Sequence, residues 1–303
     1  MKKIVFFLLA AFVSFSILTC ESMGEIAGGV AQAAGASDGQ VKAAKAVGTG
    51  IATFAEAKKA ADALTPENEY YLGRAVAANI ASTYTIYRNP ALQTYLNKIC
   101  STIIINSPRP DIFNGYHVAI LDTQEINAFA TPGGHIFVTR GLIACASNED
   151  ALAAVIAHEV AHIQLQHALT SIRNARYVNA AVSGALAGVG EAVGGNIADL
   201  TSIMSDSVNE IITTLVVNGF SKSQELEADG TALSLLAAAG YQPSGILEML
   251  ESLKQKQGNN KTAGFGKTHP SPADRITAVN KNIKKYNVDD TRSYRTKRFG
   301  AVI

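Results

Sequence analysis

Fifteen residues, "AVIAHEVAHIQLQHA" at positions 154–168, constrain this chain more than any other stretch. They place three of its six histidines within ten positions. Ala151, Leu152, Val155, Ile156, Val160 and Ile163 give the spacing of a helix with a buried stripe. Ser147 or Asn148 would cap that helix, and Glu149 and Asp150 suit its first turn. His158 and His162 are four positions apart, so they lie about 40° apart on one face, one turn along. Two imidazoles placed in this way can reach one ion. Glu159 is about 100° round from His158, close enough to touch a water on that ion but not placed as a further ligand. This is the H-E-x-x-H pattern of zinc hydrolases, with the glutamate as general base. The plain alternative is a helix with two incidental surface histidines.

His167 lies about 180° round from His158 if the helix continues, so it cannot share the ion. A third histidine ligand in this run would need a helix-breaking glycine. Leu165 stands where that glycine would be, and Ala168 where that histidine would be. His167 therefore reads as a structural or supporting histidine. Two histidines leave a catalytic zinc one protein ligand short. "QELEAD" offers the missing group. Glu225 and Asp229 are four apart on one face of another helix, which Ser221 or Ser223 would cap and Gly240 would stop. Glu227 points the other way. Glu225 is the expected third ligand, a gluzincin arrangement, and Asp229 could hold the N–H of a ligating histidine. Flanking Leu226, Ala228, Leu233 and Leu236 argue against a merely solvated acidic helix.

The remainder divides into four parts. Residues 1–20 have Lys2 and Lys3, then an apolar run too short for a membrane span, and fit an export signal ending on Cys20. "ILTC" resembles a bacterial lipobox, with Thr19 where a smaller residue is usual; Cys20 would then carry a lipid anchor. Residues 21–64 are Ala- and Gly-rich and read as a mobile tether with a helical second half, residues 51–64. Residues 65–285 form the expected folded domain. It begins with helices capped at Thr65-Pro66 and starting again at Pro90. "YHVAILD", "NAFATPG" and "GHIFVTRGLI" then read as strands. Residues 177–220 are apolar, but Glu191, Asp199, Asp206 and Glu210 favour surface helices or a lid over a membrane hairpin. Residues 286–303 read as a mobile basic tail. Cys100 and Cys145 could pair or stay free. Lys plus Arg number 26 against 25 acidic residues, so no nucleic-acid footprint is expected.

Taken in order, "TPENEYYLGR", "NAFATPGGHIFVTRGLI", "HEVAHIQLQH", "ELEAD" and "HPSPADRI" resemble the family of the CAAX prenyl protease, HtpX and the Oma-type peptidases, peptidase family M forty-eight. The likeness covers roughly residues 65–285. It implies an α+β, predominantly helical fold: a gluzincin-type zincin core with a small β-sheet over the H-E-x-x-H helix. It implies one zinc ion per chain and a zinc-dependent endopeptidase, similar to soluble lipoprotein members acting at the periplasmic face of the cell envelope. It also implies an edge strand for extended substrate at Asn127, Ala128, Phe129 and Ala130. Such an edge offers backbone hydrogen bonds to unfolded polypeptide without demanding particular side chains. His269 would donate to an oxyanion or bind zinc as a fourth ligand and keep it idle. Arg275 would support the site or pair with Glu225 or Asp229. Two rival readings accompany this one: an envelope chaperone with latent proteolysis, and a deformylase-like hydrolase using Cys145. The oligomeric state is left open.

Overall fold

The computed structural model describes residues 20–33, 35, 37, 38, 65–170, 206–257, 268, 269 and 271–303. The expected signal at 1–19, the helix at 51–64 and residues 171–205 lie outside them. Two compact units are distinguished, one holding residues 1–63 and 173–196, the other residues 64–172 and 197–303. In the first, helix α1 spans Cys20–Ala33. A helix thus occupies part of the first half of the expected tether.

In the second unit, α2 (Pro66–Thr83) and α3 (Pro90–Ile105) begin as the sequence predicts. Thr65 and Asn89 cap them by accepting from Asn68 N and Leu92 N, and proline fills the first helical position. Three strands follow: β1 (His117–Leu121), β2 (Ala128–Ala130) and β3 (His135–Thr139). The third predicted strand ends early. Thr139 instead caps a short helix α4, Arg140–Ile143, through its hydroxyl. The sheet order is β1-β3-β2, with β1 parallel and β2 antiparallel to β3.

Strand alternation divides the sheet between two apolar layers. Val118, Ile120, Ala128, Ala130, Ile136 and Val138 face one core, shared with α3 and with α5, Glu149–Gln164. Phe129 and Phe137 face a second core, with Leu72, Val76 and Ile80 of α2 and with Ile211 and Leu215. The turn between β2 and β3, Pro132–Gly134, packs so closely on α2 that a Cβ on Gly73 would meet the Pro132 carbonyl oxygen at 1.6 Å. The sheet is therefore sandwiched, and α5 lies against it with every residue from Glu149 to Ile163 buried.

Residues 206–212 are helical and pass into a π-helical turn, Thr213–Asn218. Helix α6, Lys222–Ala238, opens on a capping box between Ser221 and Gln224. Gly240, at φ 78°, turns the chain out of it. Helices α7 (Gly245–Gln257) and α8 (Pro272–Asn282) complete the wall beside α5. Among the described residues no helix is long and apolar enough to cross a membrane. Cys100 and Cys145 are both buried and free.

The basic tail differs from expectation. It forms α9, Arg292–Phe299, and packs on α5. Arg295 Nε lies 2.9 Å from Asp150 Oδ1, and Arg298 holds Glu149 through Nε at 3.1 Å and Nη2 at 2.5 Å. Arg292 reaches Glu248 and Asp150. The acids that favour the start of α5 are thus buried, and the tail supplies their countercharges. Sequence patterns carry no signal for partners about 145 positions apart.

Candidate metal centre

Helix α5 presents His158 and His162 side by side, their Nε2 atoms 3.0 Å apart. Helix α6 crosses α5 and brings Glu225, which is fully buried, against both rings. Its Oε2 lies 3.5 Å from His158 Nε2 and its Oε1 3.4 Å from His162 Nε2. Four-coordinate zinc with bonds of about 2.0–2.1 Å has ligand atoms about 3.3 Å apart. The three groups fit that spacing. His269, from the segment before α8, joins them, with Nδ1 2.8 Å and 2.9 Å from the two Glu225 oxygens. Ligand atoms of His158, His162, Glu225 and His269 all lie within 4.8 Å of one another.

Glu159 is buried, and its Oε1 has no hydrogen-bond partner among the described residues. Such an orphaned carboxylate oxygen is costly unless a water or a bound group meets it. Burial raises its pKa above the usual carboxylate range, which moves it toward the working range of a general base. Burial also acts on Glu225, but the charge on His269 and hydrogen bonds from the three histidines hold its carboxyl well below the usual range. Burial pulls His162 down to about 3. Burial and Arg275 act the same way on His158, but Asp229 and Glu225 reverse them and raise it to about 9.

Asp229 lies one turn beyond Glu225 and sets its Oδ1 3.1 Å from His158 Nδ1. Arg275 faces the same carboxylate and lines a small cavity with His158 and Glu159. Its Nε and Nη2 donate to Asp229 at 2.8 Å and 2.7 Å, and its Nη1 lies 3.4 Å from Glu225 Oε2. Its Nη2 also lies 3.2 Å from His158 Nδ1.

The α5 helix stops sooner than the sequence predicts. Gln166 takes φ 55°, a rare conformation for a side-chain-bearing residue, and turns the chain. His167 consequently returns to His162, with Nδ1 2.8 Å from His162 Nδ1. It stays outside the four-residue cluster, as expected, but its neighbourhood is not that of a straight helix. Phe220 has no sequence signal for a site role. It stacks on His162 with ring centroids 4.2 Å apart and planes at 16°.

The expected edge strand is β2, and it is buried: Asn127, Ala128, Phe129 and Ala130 are all 3% exposed or less. Thr139 and Asn127 form one hydrogen-bonded pair and Thr131 and His135 another. Antiparallel alternation then turns the backbone groups of Ala128 and Ala130 away from β3. They line a small cleft with Glu159, Thr214, Gly219, Phe220, Thr268 and His269. Asn127 Oδ1 accepts from Thr268 Oγ1 at 3.2 Å and from Ala128 N at 3.0 Å, tying the strand to the His269 segment. Cys145 is far from deformylase chemistry. Its Sγ is buried on Gly141 O and is not part of the cluster.

Residues 89–283 match the profile described as Peptidase family M48. The chain belongs to peptidase family M48. The helical α+β fold agrees with that membership. Among curated relatives it is 27% identical over 232 residues to a putative beta-barrel assembly-enhancing protease of Vibrio cholerae, covering 75% of this chain and 46% of that one. It is 32% identical over 186 residues to the mitochondrial metalloendopeptidase OMA1 of Schizosaccharomyces pombe, covering 61% of this chain and 51% of that one. It is 31% identical over 192 residues to the metalloprotease LoiP of Escherichia coli, covering 63% and 71%. The peptidase thus spans about half the length of the first two.

Proposed function

We propose that this chain is a zinc-dependent endopeptidase that cuts extended or misfolded polypeptides in the bacterial cell envelope. The observation that carries the reading is Glu159 Oε1, buried and without a partner among the described residues, beside His158, His162 and Glu225. Zinc held by those three residues would supply Lewis acidity toward a water and a peptide carbonyl. Glu159 takes a proton at Oε1 and hands it to the leaving amine. Asp229 fixes the ring of His158 by accepting at Nδ1. The outward backbone groups of Ala128 and Ala130 bind the substrate main chain as an added strand. The envelope location rests on the basic, apolar N-terminus and on Cys20 as a lipid-anchored residue at the periplasmic face.

The test is cleavage of an unstructured polypeptide with and without chelator, by the wild type and by Glu159→Gln. Chelator and substitution each abolish cleavage on this reading. Cleavage by Glu159→Gln at the wild-type rate would sink it.

The small cleft and the contact of His269 with Glu225 favour a second reading: a chaperone or assembly factor whose proteolysis is latent. His269 would then sit as a fourth ligand until substrate displaces it. The discriminator is whether Glu159→Gln restores the cellular phenotype of a strain lacking the protein.

A further inference from the structure

Each candidate histidine ligand has a partner on its far nitrogen, but the two are built differently. His158 Nδ1 meets a carboxylate directly, at Asp229. His162 Nδ1 meets another imidazole, His167 Nδ1, at 2.8 Å. The outer nitrogen of that imidazole, Nε2, lies 3.4 Å from Glu227 Oε2. Glu225, Glu227 and Asp229 are at alternate positions of α6, so Glu227 projects on the opposite side from its neighbours. It nevertheless reaches the site because Gln166 ends α5 in the left-handed region and swings His167 back toward it. Two further contacts from around α6 hold His167 in place. Gln224 Nε2 donates to the His167 carbonyl at 3.4 Å, and the Phe220 ring lies 5.8 Å from the His167 ring and 4.2 Å from that of His162.

We propose that His167 and Glu227 are positioning residues that fix the tautomer and orientation of His162. The claim rests on the reading of His162 as a zinc ligand. Proton bookkeeping supports it. A ring that binds metal through Nε2 carries its proton on Nδ1. The Nδ1–H of His162 must then donate, and His167 Nδ1 must accept. A neutral imidazole that accepts at Nδ1 carries its own proton on Nε2. That proton points at the Glu227 carboxylate. Each ring therefore holds one proton, and all three groups agree in direction. In the other His167 tautomer two N–H groups would oppose each other at 2.8 Å. Glu227, itself largely exposed, selects against that tautomer. The arrangement extends the carboxylate–histidine–metal pattern by one imidazole.

The test is zinc affinity, measured by competition with a chromophoric chelator on the full chain. His167→Ala is expected to weaken binding about 10–100-fold, the usual effect of losing such a partner. Glu227→Ala is expected to give a smaller loss, and Glu227→Gln, which still accepts a hydrogen bond, to recover part of it. In the His167→Ala background, Glu227→Ala should add nothing, because it acts only through His167. Nitrogen-15 spectra should place the His167 proton on Nε2 in the wild type and show a tautomer mixture in Glu227→Ala. Denaturation of the metal-free proteins separates lost folding from lost positioning, and Glu227 is too exposed for its variants to unfold the domain. An undiminished Glu227→Ala effect in the His167→Ala background would overturn the proposal. So would wild-type zinc affinity in a folded His167→Ala protein. A wild type that binds no zinc would instead remove the metal-centre reading on which the proposal stands.

Discussion

Arg275→Met is expected to lower the stability of the metal-free domain by about 3–5 kcal/mol, the cost of stranding a buried charge. Arg275 is 3% exposed and Asp229 2%, and two hydrogen bonds of 2.7–2.8 Å join them. Glu225, fully buried, lies 3.4 Å from the same guanidinium. Methionine fills much of the space but removes the guanidinium from between two buried carboxylates. Two unit charges about 4 Å apart at an effective dielectric of about 20 attract by about 4 kcal/mol, which agrees with the empirical range. For a domain of this size that loss lowers the melting temperature by about 6–20 °C. The assay is urea or thermal unfolding with chelator present in every sample, so that metal binding does not enter. The pair also makes a cycle: Asp229→Asn in the Arg275→Met background should lose less than it does alone. A stability change below about 1 kcal/mol for Arg275→Met, or full additivity in the cycle, would refute the reasoning.

Further outcomes follow from other contacts. Arg295→Ala breaks a buried pair with Asp150 and should cost about 3 kcal/mol in the same unfolding assay, whereas Arg298→Ala, with its side chain 55% exposed, should cost about 1 kcal/mol or less. Equal losses would argue against α9 as a strap on α5. Gly73→Ala should destabilise by about 3 kcal/mol or more by forcing α2 off the Pro132 turn, as read by unfolding midpoints. Burial pushes the Cys100 thiol up to about 12, so at pH 8 it stays protonated. In native protein it should resist a thiol reagent that labels it fully in denaturant, and fast native labelling would contradict its burial.

The parts of the fold that could be read from sequence are those set by neighbouring residues. Asn148, Ser221 and Thr65 cap helices because capping is decided within three or four positions. The approach of Glu225 to His158 and His162 could be anticipated because zinc chemistry demands a third ligand and α6 offered a buried carboxylate. Glu227 points away from Glu225 and Asp229, and it meets His167 for a physical reason that spacing along the sequence does not carry. Helical angles hold only while a helix continues, and α5 ends at Gln164, with Gln166 turning the chain one residue before His167. Residues 286–303 show the complementary failure. Their arginines look like a solvated basic tail until Glu149 and Asp150, far off in sequence, appear as their partners. Strand β2, Ala128–Ala130, forms one edge of the sheet. Its cover, Phe220 and Thr268, comes from segments without a motif of their own.

The central claim is that His158, His162 and Glu225 together hold zinc while Glu159 stands beside it as the base. Zinc content per chain, by elemental mass spectrometry on wild type, Glu225→Ala and Glu159→Gln purified in parallel, tests it most directly. The account predicts about one zinc per chain in the wild type and in Glu159→Gln, and essentially none in folded Glu225→Ala. Full zinc occupancy in Glu225→Ala, or loss of zinc in Glu159→Gln, would contradict it.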